Sequence, residues 1–165
     1  MRQLFCVLIC LACGIAYLIG GHGTLAIAQS SNVTDVSEDD KEMNSAIASA
    51  RKTVEQFWTA LEEPPAGATG FAIKVAFNDN GNVEHIWCNS PARRNGKIFA
   101  TINNTPVRVS HVKDGQRLEI DPQDISDWMY VRGDQKIVGG RTIRALLKHM
   151  PKEQADYYRS ILVTE

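Results

Sequence analysis

Three hydrophobic patterns follow one another along the chain. The first runs from Leu4 to Gly20, where "LFCVLICLACGIAYLIG" contains no charged residue. The second begins after "SEDD": Met43, Ile47, Ala50, Val54, Phe57, Trp58 and Leu61 recur at steps of three or four. That spacing lays one apolar stripe along an amphipathic helix. Ser37, with an acidic side chain three residues on, predicts a capping box at its start. Pro64-Pro65 ends it, because proline offers no N–H and restricts the residue before it. From Phe71 the third pattern takes over with a period of two.

In "FAIKVAF", Phe71, Ile73, Val75 and Phe77 alternate with Ala72, Lys74 and Ala76. "NDNG" then predicts a hairpin, since Asn80-Gly81 accepts the positive φ angles of a tight turn. "NVEHIWC" returns as the second strand. A second turn is expected at "NSPARRNG", a third strand at "KIFATIN", a fourth at "VRVSHV", a turn at Asp114-Gly115 and a fifth strand at "RLEI". "RTIRALLKHM" reads as a helix after the pair Gly139-Gly140, and Pro151 opens a last helix, "PKEQADYYRSIL". The expected architecture is α+β: an N-terminal amphipathic helix, a curved antiparallel sheet of about five strands, and C-terminal helices covering it.

The leading apolar run changes the picture of where the chain acts. Arg2 precedes it, and "LAIAQS" follows with Ala26 and Ala28 at the small-residue positions of a cleavage site. A charged start, an apolar middle and an A-x-A end predict a Sec-type signal peptide over residues 1–28, cut after Ala28. A tether over 29–36 and a single domain over 37–165 follow. The mature protein is then periplasmic or secreted, without a stable membrane span. The alternative is an uncleaved N-terminal helix acting as an anchor, which Gly14, Gly20, Gly21 and Gly23 weaken.

Cleavage also changes the composition. Of four cysteines, Cys6, Cys10 and Cys13 leave with the leader, so Cys88 has no partner for an internal disulfide. Losing Arg2 takes the 18 basic residues to 17 against 19 acidic ones. Without a basic excess, nucleic acid is not an expected partner.

Candidate chemistry gathers in two places. "VEHIWC" brings Glu84, His85 and Cys88 close in sequence. A strand sends alternate side chains to opposite faces, so Glu84, Ile86 and Cys88 share the face of Ile73 and Val75. His85 and Trp87 share the face of Ala72, Lys74 and Ala76. The pleat therefore separates the thiol from the imidazole, and Cys88 reads as a small buried hydrophobe. His85 reads as a polar partner for a carbonyl or carboxylate, and Trp87 as core or groove wall. His111 and His149 match no metal-ligand spacing, so neither a metal nor a cofactor is expected.

The second place is "DISDWMY". If extended, it projects Trp128 and Tyr130 to one face and Asp127 and Met129 to the other. Trp and Tyr suit binding because they join apolar area to a hydrogen-bonding tip; packing against the C-terminal helices is the plainer reading. Asp127 reads as a cap or turn carboxylate, and a pairing with Asp124 would need both at one cleft. "VGGRT" opens a helix after two glycines, either as a plain turn or as an anion site assisted by Arg141 or Arg144.

"FAIKVAFNDNGNVEHIWC", "GKIFATINNTPVRV", "DISDWMY" and "VGGRTIRALL" occur in an order that resembles the YegJ-like family, small and often exported bacterial proteins grouped as a domain of unknown function. The resemblance spans Phe71 to Leu147. It matches Glu84, His85, Trp87, Asn103, Pro106, Asp127, Trp128, Gly139, Gly140, Thr142 and Arg144. It implies a bacterial origin and a place in or beyond the envelope, and it supplies no reaction. Cys88 stands where the resemblance implies an aliphatic side chain.

Two functions are then in competition. One is a non-catalytic module binding an envelope protein or small ligand through Glu84, His85, Trp87, Asn103, Asp127, Trp128, Tyr130 and Arg144, with Trp87, Trp128 and Tyr130 lining a groove. The other is an envelope hydrolase in which Glu84 or Asp127 orients His85.

Overall fold

A computed structural model describes residues 40–164, together with the backbone of two further strands, β1 (Leu4–Leu8) and β2 (Val33–Ser37). The expected cleavage point after Ala28 lies outside the described residues. The remaining elements are α1 (Lys41–Lys52), α2 (Val54–Glu62), β3 (Thr69–Asp79), β4 (Asn82–Arg94), β5 (Lys97–Ile102) and β6 (Arg117–Ile120). Then come β7 (Ile125–Val131), β8 (Ile137–Gly139), α3 (Arg141–Leu146) and α4 (Lys152–Ile161). The fold is α+β.

The predicted N-terminal helix forms with two local differences. Its cap is Asp40 rather than Ser37, which ends β2: the Asp40 carboxylate accepts the Met43 N–H at 2.9 Å. The stripe is also divided at Thr53, whose hydroxyl lies 3.1 Å from the carbonyls of both Ser49 and Ala50. Its own N–H turns back to Ala50 O, so α1 tightens and α2 begins afresh. The apolar stripe divides with it: Met43 and Ile47 pack into one hydrophobic core, and Ala50, Val54, Phe57, Trp58 and Leu61 into another.

The β3–β4 hairpin turns at Asn80 and Gly81, with φ of 52° and 87°. Its register pairs Ile73 with Cys88, Lys74 with Trp87, Val75 with Ile86 and Phe77 with Glu84, as the alternation predicts. "NSPARRNG" differs from expectation. β4 runs on through Pro91 to Arg94, with a register shift between Asn89 and Ala92 and a φ of 50° at Ser90. A bulge tolerates proline in a strand. The turn is only Asn95-Gly96. "VRVSHV" is not a strand either; it is a loop, for a reason found in the side chain of Glu84. "DISDWMY" is extended as β7, and β8 is a short strand that the pattern did not announce.

Among the described residues, the antiparallel path is β6-β5-β4-β3-β7-β8. β1 lies parallel to β4 at Glu84 and His85, and β2 pairs with β1. Each face of the sheet carries its own core. The first packs Ile73, Val75, Ile86, Cys88 and Trp128 under Ala50, Phe57 and Trp58 of the N-terminal helices. The second packs Ala72, Trp87 and Met129 under Ile143, Leu146 and Tyr158 of α3 and α4, joined by Met43 of α1. Each large side chain so buried stabilises the fold by roughly 1.5–3 kcal/mol.

Candidate functional site

β3 is the central strand on the second face, and it carries a lysine where an apolar residue would pack. Lys74 is fully buried, opposite Trp87 on one side and Asp127 on the other. Its ammonium sits 5.3 Å from the Trp87 ring centroid and donates to Thr142 Oγ1 at 3.2 Å. The Thr142 hydroxyl in turn donates to Asp127 Oδ2 at 2.7 Å.

Asp127 is built in from four donors. Oδ2 also accepts the Thr142 N–H at 2.7 Å, while Oδ1 accepts the N–H groups of Trp128 at 2.8 Å and Arg141 at 3.2 Å. The chain reaches this geometry through Gly139 and Gly140, both left-handed, with φ of 79° and 65°. A Cβ on Gly139 would stand 2.3 Å from Trp128 O, so only glycine lets the turn close. Burial raises the Asp127 carboxyl above its ordinary range, while the bonds from Thr142 and the charge of Lys74 pull it back. The cap reading of Asp127 therefore describes the structure. The pair with Asp124 is not assembled, because Asp124 is exposed in the turn before β7.

His85 lies on the same face but turns to Ser126, with Nδ1 2.8 Å from Oγ. The Ser126 hydroxyl donates to Lys74 O at 3.2 Å, so it is the imidazole that donates to Ser126. Burial, followed by the charges of Lys74 and Arg51, lowers the His85 pKa to about 3. The ring is a neutral, buried structural partner.

Glu84, on the opposite face, is fully buried and explains the missing strand. Oε2 accepts the N–H groups of Val107 at 3.0 Å, Arg108 at 2.8 Å and Val109 at 3.2 Å, and Oε1 lies 3.0 Å from Val107 N. Three successive amides converge on one carboxylate, which a strand, with alternating amides, cannot do. Cys88 is buried in the first core, and burial pushes its thiol up to about 12.

The expected aromatic groove is not assembled. Trp87 and Trp128 lie on opposite faces in different cores, and Trp128 Nε1 donates to Ala50 O at 3.0 Å. Tyr130, half-buried, stacks on Phe71 at 5.0 Å. Asn103 meets β4 through its backbone, donating to Trp87 O at 3.1 Å. Arg144 Nη2 donates to Val163 O at 2.7 Å, fastening the C-terminal segment. Sequence reasoning gave no site role to Lys74, Ser126 or Thr142, though Thr142 was among the positions matched by the family resemblance. Only Lys74 left a signal, as a charge within an otherwise apolar alternation.

An open concavity does exist elsewhere, between α1 and α3. It measures about 330 Å³ and is lined by Glu42, Ser45, Ser49, Arg141 and Arg144 over Ala145. The Arg141 guanidinium lies 5.5 Å from the Trp128 ring centroid, which holds one cationic wall in place. Glu42, on the same wall, is engaged by Lys148 at 2.6 Å.

Residues 40–162 match the family described as "Uncharacterized protein conserved in bacteria" (DUF2314). The chain belongs to that family. Among relatives, this DUF2314 chain is 42% identical over 125 residues to the uncharacterized protein YegJ of Escherichia coli (strain K12), covering 76% of this chain and 80% of YegJ. It is 32% identical over 127 residues to a putative ankyrin repeat protein of Neisseria meningitidis serogroup B, covering 72% of this chain but only 50% of that relative. No solved structure matches it. Among the described residues, no helix is long and apolar enough to cross a membrane. No group of three or more His, Cys, Asp or Glu there is placed to hold a metal ion.

Proposed function

We propose that this DUF2314 protein is a non-catalytic interaction module of the bacterial cell envelope, exported by a signal peptide cut after Ala28. The observation that carries the reading is the saturation of Asp127. A carboxylate taking four donors from its own fold has no lone pair left to orient His85, and His85 itself is spent on Ser126. Glu84 is similarly committed to the 107–109 loop. The side chains that looked chemical build the domain, and the open α1–α3 groove lined by Ser45, Ser49, Arg141 and Arg144 is left as the receiving surface for a protein or small ligand.

The test is photo-crosslinking in intact cells, with benzoylphenylalanine placed at Ser49 in the groove or at Glu63 outside it. The groove position is expected to give an adduct of one defined mass that disappears with Ser45→Trp. Silence at Ser49, or turnover of an ester, peptide or glycoside substrate that is lost in His85→Gln, overturns the reading.

A further inference from the structure

On one side β4 pairs with β3 from Asn82 to Asn89. β5 joins its other side at Cys88 and continues to Arg94, so the first half of β4, from Asn82 to Trp87, has no neighbour from β5. The direction of its backbone groups follows from the hairpin. Asp79 and Asn82 close a two-residue turn, so residues 82, 84 and 86 exchange bonds with β3, while Val83, His85 and Trp87 point their N–H and C=O groups outward. Asn103 N takes up Trp87 O. Val83 O and both backbone groups of His85 face β1, which lies there parallel to β4, Cys6 beside Glu84 and Val7 beside His85.

β1 belongs to the segment expected to leave with the signal peptide. Its removal exposes one backbone donor and two acceptors on this edge, an arrangement that recruits another strand. The Glu84 clamp holds the 107–109 loop beside this segment of β4, and the buried Lys74 and Trp87 hold the strand itself rigid. The edge is therefore preorganised for an occupant.

We infer that the mature domain binds an extended apolar segment of a partner protein by β-augmentation, the segment running parallel to β4 over Val83–His85 in the place that Leu4–Leu8 occupies in the full chain. This rests on the export reading above and adds a second surface to the α1–α3 groove. Affinity comes from main-chain hydrogen bonds, so the partner is defined by extension and apolar character more than by a fixed sequence. Val33–Ser37, which stays with the mature chain, is the competing occupant.

The experiment uses the chain exported from its full-length gene and recovered from the periplasm. The probe is a synthetic peptide carrying Leu4–Leu8, with Cys6→Ser and lysines at both ends. Amide exchange at His85 is expected to be fast in the recovered protein and to slow about tenfold or more when the peptide is added. N-methylating the peptide at amides of one parity should abolish binding, and at the other parity should leave it within a few-fold. Unchanged exchange on adding peptide, indifference to N-methyl parity, or protection already complete without peptide because Val33–Ser37 has moved in, each overturns the inference. The mass of the recovered chain separates the two claims. A chain that keeps its leader sinks cleavage and docking together, a chain absent from the periplasm sinks export itself, and a trimmed chain whose amides ignore the peptide sinks docking alone.

Discussion

His85 shows how much of a residue's role burial decides. In the unfolded chain its imidazole titrates near 6.5, and in the fold near 3, because burial and Lys74 disfavour the cation. Above pH 6.5 both states are neutral and the group contributes no pH dependence. As pH falls from about 6.5 toward 3 the unfolded chain takes up a proton that the fold refuses, so stability drops by about 1.4 kcal/mol per unit. Urea midpoints followed from pH 7.5 to 4.5 should therefore fall more steeply for the wild type than for His85→Gln, by about 2 kcal/mol or more; parallel curves would show the ring to be solvated. Asp127 poses the complementary case. Asp127→Ala strands the amides of Trp128, Arg141 and Thr142 in a dry interior, and a loss of about 3 kcal/mol or more in urea unfolding is expected. The pleat made half of this legible: alternation alone put His85 with Lys74 and away from Cys88, as the register has it. The hydroxyl of Ser126 left no trace, since a serine in a strand carries no pattern until folding sets it 2.8 Å from an imidazole.

At the scale of elements, sequence and structure part where a side chain overrides a local pattern. "VRVSHV" has a strand's alternation, but Glu84, more than twenty residues earlier, gathers its amides, and no period along the loop announces that. Ser90 and Pro91 read as a turn, whereas pairing with β5 absorbs them as a bulge. By contrast, the two-residue turns at Asn80-Gly81 and Asn95-Gly96 were set by their own backbone preferences; the first was read in full, and the second was hidden inside a longer polar stretch. The Glu84 clamp yields a test of its own: Glu84→Ala should raise amide exchange at Val107, Arg108 and Val109 by tenfold or more and cost about 2–4 kcal/mol, and unchanged exchange would mean the loop orders itself. Glycines separate in the same way. Gly115 has φ of 75° with open space around it, so Gly115→Ala should cost only about 1 kcal/mol. Gly139→Ala adds a collision with Trp128 O to a similar φ and should cost well over about 2 kcal/mol in the same unfolding assay.

Across the whole molecule, two cores lie on opposite faces of one sheet, and the second is crossed by a buried polar chain. Lys74 lies on the middle strand, Asp127 on the next, and Thr142 opens α3, so the network joins the sheet to the C-terminal helices. An apolar residue at position 74 would satisfy the pattern of β3, and the lysine is kept only if its charge is answered. Lys74→Met keeps the stem and removes the ammonium, leaving the Asp127 carboxylate buried with neutral donors alone. Asp127→Asn keeps the shape and removes the opposite charge. Each change alone leaves one charge of the two in a fully buried site, with an expected cost of about 3 kcal/mol or more. Together they leave none, so the double variant should be more stable than the sum of the two losses predicts, with a coupling of about 1–3 kcal/mol. Equilibrium unfolding of the four proteins reads this directly. Strict additivity would mean that Lys74 answers to Thr142 and Trp87 rather than to Asp127, and that the sheet and the C-terminal helices are joined by packing alone.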